Sequence, residues 1–194
     1  MIQIECLNTL FSSARTHRFF TDKPISDNLL GELYELFKVG PTESNFCPMR
    51  LTFIKSTQAR QKLMEAASEG NRPKIKSAPV VAIVAHDLKF HRHLSKLSPN
   101  LDAEKIAGMP DEILAKKSIY NTWLQAGYLI MAARSLGLDC GPMIGFDAKK
   151  INETFYSDKS WRASMLMNLG YGIGGDKIRE RAPRLDFIEA CEIV

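Results

Sequence analysis

Four short stretches of this sequence carry residue types able to hold an anion or a planar polar ring. In Ala14-Arg15-Thr16-His17-Arg18-Phe19-Phe20-Thr21-Asp22-Lys23-Pro24, the hydroxyl of Thr16 lies between Arg15 and Arg18. That grouping suits charge-assisted hydrogen bonds to a phosphate or ring oxygen. In Gly40-Pro41-Thr42-Glu43-Ser44-Asn45-Phe46-Cys47-Pro48-Met49-Arg50, small polar groups sit on a backbone restrained by two prolines. The glycines of Gly141-Pro142-Met143-Ile144-Gly145-Phe146-Asp147 would let backbone amides and carbonyls approach the edge of a flat ring. Near the end, Arg179, Arg181 and Arg184 surround Pro183 and form a cluster suited to a phosphate. Each stretch alone also has a plainer reading: a solvated basic helix end, a connecting turn, a strand-to-helix turn with Asp147 as N-cap, and a solvated tail.

Other devices are missing. The sequence has no GxSxG elbow, no GxxxxGK[ST] phosphate loop, no HExxH pair and no GxGxxG following a strand. Gly170-Tyr171-Gly172-Ile173-Gly174-Gly175 is followed by arginines and a proline rather than an amphipathic helix, so it reads as a turn. His86, His91 and His93 with Asp87 invite a metal, but His91 and His93 would point to different faces of a helix. They read as surface histidines, and no metal site is expected. No residue is assigned as a catalytic acid, base or nucleophile.

Helices and strands must position these stretches. Ser26 caps a helix whose apolar residues are Leu29, Leu30, Leu33, Leu36 and Phe37, and Gly40-Pro41 stops it. Leu51 to Lys55 reads as a strand, and residues 58–67 as a helix. Pro79-Val80-Val81-Ala82-Ile83-Val84-Ala85 is a continuous β-branched run, expected at the centre of a sheet and buried on both faces. A long helix starts with Pro110 at its first position and has Asp111 and Glu112 at the positive end of its dipole. Its apolar stripe comprises Ile113, Leu114, Tyr120, Leu124, Tyr128 and Met131, and Gly137 ends it. Strands at 138–143 and 163–170 complete a layered arrangement of helices and three or four strands.

Composition limits the function classes. The 194 residues, 45% apolar and 25% charged, suit one domain over 1–194 and exclude disordered and fibrous classes. No run approaches the ~20 apolar residues of a membrane helix. With Glu5 in place of a basic leader residue, a soluble cytoplasmic protein is expected. Cys6, Cys47, Cys140 and Cys191 form no CxxC pair and are expected to be reduced, buried and inert. A net charge of +4 is too mild and dispersed for nucleic acid and suits phosphate-bearing cofactors.

In order and spacing, the four stretches resemble the nitroreductase family. Its members carry an R-[RH]-S-x-[RK]-x-F segment, a P-[ST]-x-x-N-x-x-P loop, a G-P-x-x-G-F-D loop and a basic R-x-P tail. The match covers almost the whole chain. It is closest to the branch containing malonic semialdehyde reductase, where ARTH, GLD-x-GPM-x-GFD and PRL-x-F-x-EAC recur. Ala14 replaces the family's usual first arginine, and Cys47 and Met49 replace its frequent Gln and Trp.

The resemblance implies an α+β fold with a mostly antiparallel central sheet flanked by helices, in an intertwined homodimer with FMN at the subunit boundary. It places Arg15 and Thr16 at the ribityl chain or phosphate, and Arg18 near N1 and O2 of the ring. Pro41, Thr42 and Asn45 would reach the flavin from the other subunit, while Pro142, Ile144 and Gly145 would line the ring. Arg181 and Arg184 would bind the phosphate. NADH or NADPH would deliver hydride to flavin N5 in a ping-pong cycle, and a nitroaromatic, quinone or small aldehyde would then accept it. Two other readings remain open: a flavin-independent NADPH aldehyde reductase and a non-catalytic flavin-binding protein. Phe90 to Met109 is a candidate lid over the flavin.

Overall fold

The computed structural model describes residues 2–194. Its frame is a four-stranded sheet: β1 (Met49–Ile54), β2 (Val80–Asp87), β3 (Asp139–Met143) and β4 (Trp161–Gly170). The order is β1-β2-β4-β3, and every neighbouring pair is antiparallel. The apolar run expected to be central is β2, where Ile83 pairs with Thr52 on one side and Leu166 on the other. Val80 to Ala85 are fully buried, as the absence of polar alternation requires.

Side chains alternate across the sheet, so the two faces gather separate cores. Val80, Ala82 and Val84 pack with Leu30, Leu33 and Phe37 of α2 (Asp27–Phe37) and with Leu129 and Ala133 of α7 (Asp111–Ser135). Val81, Ile83 and Ala85 meet Leu63 of α3 (Thr57–Ala66), Ile75 of α4 (Arg72–Ser77) and Ile151 of α8 (Ala148–Phe155). The fold is thus α+β with helices on both faces. The N-terminal segment winds from α1 (Ile4–Leu7) into a π turn over Asn8–Ser12, and a short α9 (Phe187–Ala190) lies near the other end.

The expected caps form. The Ser26 hydroxyl accepts from the Leu29 amide at 3.1 Å, and the Asp147 carboxylate accepts from Lys150 at 3.0 Å. Gly137 follows α7 with a left-handed φ of 72°. Pro110 is the N-cap of α7, one place before the expected first position.

Several expectations need correction. Of the apolar stripe on α7, only Leu114 is buried; Ile113, Tyr120, Leu124 and Tyr128 are exposed and Met131 is half-buried. The face turned inward instead carries Ser118, Asn121, Thr122 and Gln125 beside small alanines. Leu36 of α2 also faces outward. Cys6 and Cys191 are exposed and Cys47 is half-buried, leaving Cys140 as the buried thiol, pushed up to about 12 by desolvation. His86 is not a surface histidine: it is half-buried in β2, with Nδ1 2.7 Å from the Ser164 hydroxyl.

Residues 90–109 form a one-turn 3₁₀ segment with α5 (Leu94–Leu97) and α6 (Ala103–Ala107). Phe90 and Leu94 bury themselves with Phe46 and Leu114 in a small core of their own.

Candidate active site

The basic N-terminal stretch is laid along β3. Thr16 bridges Cys140, and the His17 amide donates to the Cys140 carbonyl at 3.1 Å. His17 Nε2 lies 3.2 Å from Asp139, whose other oxygen accepts from the Gly172 amide at 2.8 Å. Glycine is required at 172 because a Cβ there would lie 1.7 Å from His17 Nδ1. The turn at 170–175 therefore serves close approach to the histidine.

The arginine-rich tail returns to this stretch. Arg181 Nη2 donates to the carbonyls of Phe11, Ser12 and Ala14 at 3.0, 2.9 and 2.8 Å. Together they enclose a cavity of about 420 Å³ lined by Arg15, Thr16, Arg18, Arg181 and Arg184, five of the expected residues. Lys74, Arg134 and Arg179 also line it, and Glu180 is its lone carboxylate. Lys74 arrives from a short helix and Arg134 from the last turn of α7, where a basic residue is ordinary dipole chemistry. Neither carries a local signal of a site.

These cations perturb one another. The Arg181 guanidinium is held below its ordinary value by Arg15 first, then by burial, Arg184 and Arg134. The Lys74 ammonium is lowered by burial first and then by Arg18 and Arg179. These cations share one cavity, and an anion bound there would relieve the repulsion.

Lys74 Nζ donates to Asn71 Oδ1 at 2.8 Å, and Asn71 Nδ2 donates to the Gly145 carbonyl at 3.0 Å. This relay ties the cationic cavity to the loop after β3. A Cβ on Gly145 would approach Asn71 and Ser68 to 2.8 Å, so the loop packs too closely for a side chain there. Ile144 beside it is 71% exposed. Pro142 and Ile144 form one wall of an apolar cleft whose other wall is Trp123, Gly127 and Ile130 of α7.

The 41–47 loop is separate. Pro41, Thr42 and Asn45 border neither of these two cavities within one chain. Ser44, Asn45 and Cys47 have φ of 48°, 56° and 41°, a left-handed conformation that costs about 1 kcal/mol or more per non-glycine residue and least at asparagine. The loop is fastened nevertheless. Asn45 Nδ2 donates to the Leu97 carbonyl at 2.7 Å, and Thr42 Oγ1 accepts from the Cys47 amide at 3.2 Å.

Among the described residues no group of three or more His, Cys, Asp or Glu could hold a metal ion, and no helix is long and apolar enough to cross a membrane.

Comparison with known proteins identifies the arrangement. The family model described as the nitroreductase family matches residues 12–171. A provisionally named NADH dehydrogenase/NAD(P)H nitroreductase of Ralstonia nicotianae is 46% identical over 97% of this chain and 96% of its own length. A Stutzerimonas stutzeri protein with the same provisional name is 47% identical, covering 98% and 96%. The chain belongs to the nitroreductase family. Among solved structures, a nitroreductase-like protein of Exiguobacterium sibiricum in complex with FMN superposes with a TM-score of 0.82 at 19% identity, over 100% of this chain and 98% of that one.

A nitroreductase needs a place for a phosphate and for the edge of a flavin, and the residues present fit both. Arg15, Arg181 and Arg184 line a cavity whose charge would suit a phosphate, and the side-chain-free backbone at Gly145 with the cations Arg18 and Lys74 would suit a ring edge.

Proposed function

We propose that this nitroreductase is an FMN-dependent NAD(P)H oxidoreductase working by a ping-pong cycle, with each flavin site shared between two copies of the chain. Family membership makes it an oxidoreductase with FMN and a reduced nicotinamide dinucleotide as cofactors. When bound, FMN supplies a two-electron carrier that takes hydride from NADH or NADPH and yields it to the acceptor once the nicotinamide has left.

The observation that carries this reading is the cationic cavity. Arg15, Arg181 and Arg184 hold the phosphate, with Thr16 adding its hydroxyl. Arg18 and Lys74 place fixed positive charge at the pyrimidine edge, near N1 and O2, where negative charge develops on reduction. Pro142, Ile144 and Gly145 lie along the ring. Pro41, Thr42 and Asn45 serve the flavin of the second subunit, which accounts for their distance from the cavity in their own. The exposed stripe of α7 beside the apolar cleft suits a second copy.

The acceptor is a small molecule, and a cytoplasmic location suits an enzyme drawing on NAD(P)H. The relatives' names, which include nitroreductase, support a nitro compound such as a nitroaromatic, and a quinone is a further candidate. The ARTH, GPM-x-GFD and EAC motifs favour a small aldehyde of the malonic semialdehyde kind. The test is the visible spectrum of the purified protein before and after anaerobic NADPH. We expect a flavin band that bleaches. A colourless protein that takes up no added FMN overturns the proposal, and a yellow protein inert to NADH and NADPH points to flavin binding without catalysis.

A further inference from the structure

One face of α7 is buried and polar, and the flavin reading leaves it unused. Lys117, Asn121 and Gln125 lie four residues apart, so they form one row along the helix. Asn121 Oδ1 accepts the Glu43 amide at 2.6 Å, and Gln125 Oε1 accepts the Met49 amide at 3.0 Å. Lys117 pairs with the Glu43 carboxylate. The two accepted amides stand at the two ends of the segment that holds Ser44, Asn45 and Cys47 in left-handed backbone.

From inside the sheet a second clamp acts. Arg50 donates to the carbonyls of Cys47 and Met49 at 2.9 Å each, and pairs with the buried Asp87 at 2.9 Å. A loop with this much unfavourable backbone keeps one shape only when its surroundings over-determine it. A buried helix face is expected to be apolar, yet here the positions facing the loop carry amides whose length matches the reach to its backbone.

We propose that Asn121 and Gln125 are positioning residues that hold the 42–47 loop in the conformation presenting Thr42 and Asn45 to the partner's flavin. This rests on the FMN reading above. Neither side chain touches the flavin; each fixes a backbone N–H whose displacement would release the strained turn.

The experiment uses the full chain, with Asn121→Leu and Gln125→Leu set against the acceptor-keeping Asn121→Asp and Gln125→Glu. Gln125→Ala carries the same comparison if the leucine variants do not fold. Amide hydrogen exchange of the 41–49 segment is read first, in the cofactor-free protein, and FMN dissociation constants second. Losing the Gln125 acceptor strands the buried Met49 N–H, and losing the Asn121 acceptor frees the part-buried Glu43 N–H. About tenfold faster exchange and about tenfold weaker FMN binding are therefore expected, most clearly for Gln125. The Asp and Glu variants should restore both. Wild-type exchange in the Leu and Ala variants overturns the proposal. So does faster exchange with unchanged FMN affinity, which would make the row a stabiliser of the loop alone. Failure of the wild-type chain to bind FMN defeats the parent reading instead, and is seen before any variant is compared.

Discussion

Arg181 stands among Arg15, Arg134 and Arg184 with carbonyl oxygens as its own partners, so its surroundings still call for an anion. We expect Arg15→Ala and Arg181→Ala each to weaken FMN retention about tenfold or more at low salt, with the difference from the unaltered protein shrinking at high salt, as a fluorescence titration would read. Unchanged retention in both would remove the phosphate assignment. His86 offers a second residue-scale expectation. Burial first, and then Arg162, lower its imidazole value against the raising effect of Asp87. Below about pH 6.5 the unfolded chain therefore takes up a proton that the folded site resists, so stability present at pH 7 declines as the pH falls through that range. Urea midpoints at pH 7.5 and 5.5 should differ less in His86→Gln than in the unaltered protein, and an identical difference would refute the assignment. Arg15, Thr16 and Arg18 were legible because they fall within four residues and are chemically unusual together. Lys74 and Arg134 were not, since each looks ordinary in its own helix and becomes part of a cavity only through folding.

At the scale of elements, the turn after β4 is the tightest point around the site. Gly172→Ala would drive a methyl into the His17 ring and displace the Arg15–Arg18 stretch. A loss of about 2 kcal/mol from overpacking is expected, together with weaker FMN binding, measured by denaturation and flavin release. A variant as stable as the original with full flavin content would mean that the stretch adjusts freely. The strands were readable from their apolar runs, β2 above all, and so were the caps at Ser26 and Asp147. The orientation of α7 was not. Hydrophobicity put Tyr120, Leu124 and Tyr128 inside, whereas the chain turns Asn121 and Gln125 inward to accept the Glu43 and Met49 backbone N–H groups at the two ends of the loop. Periodicity reports that a face exists. It does not say whether the same chain or another one covers it.

For the whole molecule, the outward apolar stripe and the separation of Pro41, Thr42 and Asn45 from the cationic cavity both suit the proposed second subunit. Tyr120→Glu with Leu124→Glu should yield monomers that have lost FMN, as sedimentation and the flavin band would report. A monomer retaining full flavin would contradict the shared site. The cationic cavity is closed by a hydrogen bond between residues 170 positions apart, Arg181 to the carbonyl of Phe11. Synthesis on the ribosome delivers the N-terminal arginines and every strand of the sheet before residues 179–184 emerge. A chain stopped short of its tail can therefore assemble its hydrophobic layers and still own only half of this cationic cavity. On the proposed flavin reading, cofactor loading then waits for the tail to dock, and yellow colour in a preparation would count molecules with a docked tail and a partner rather than folded sheets.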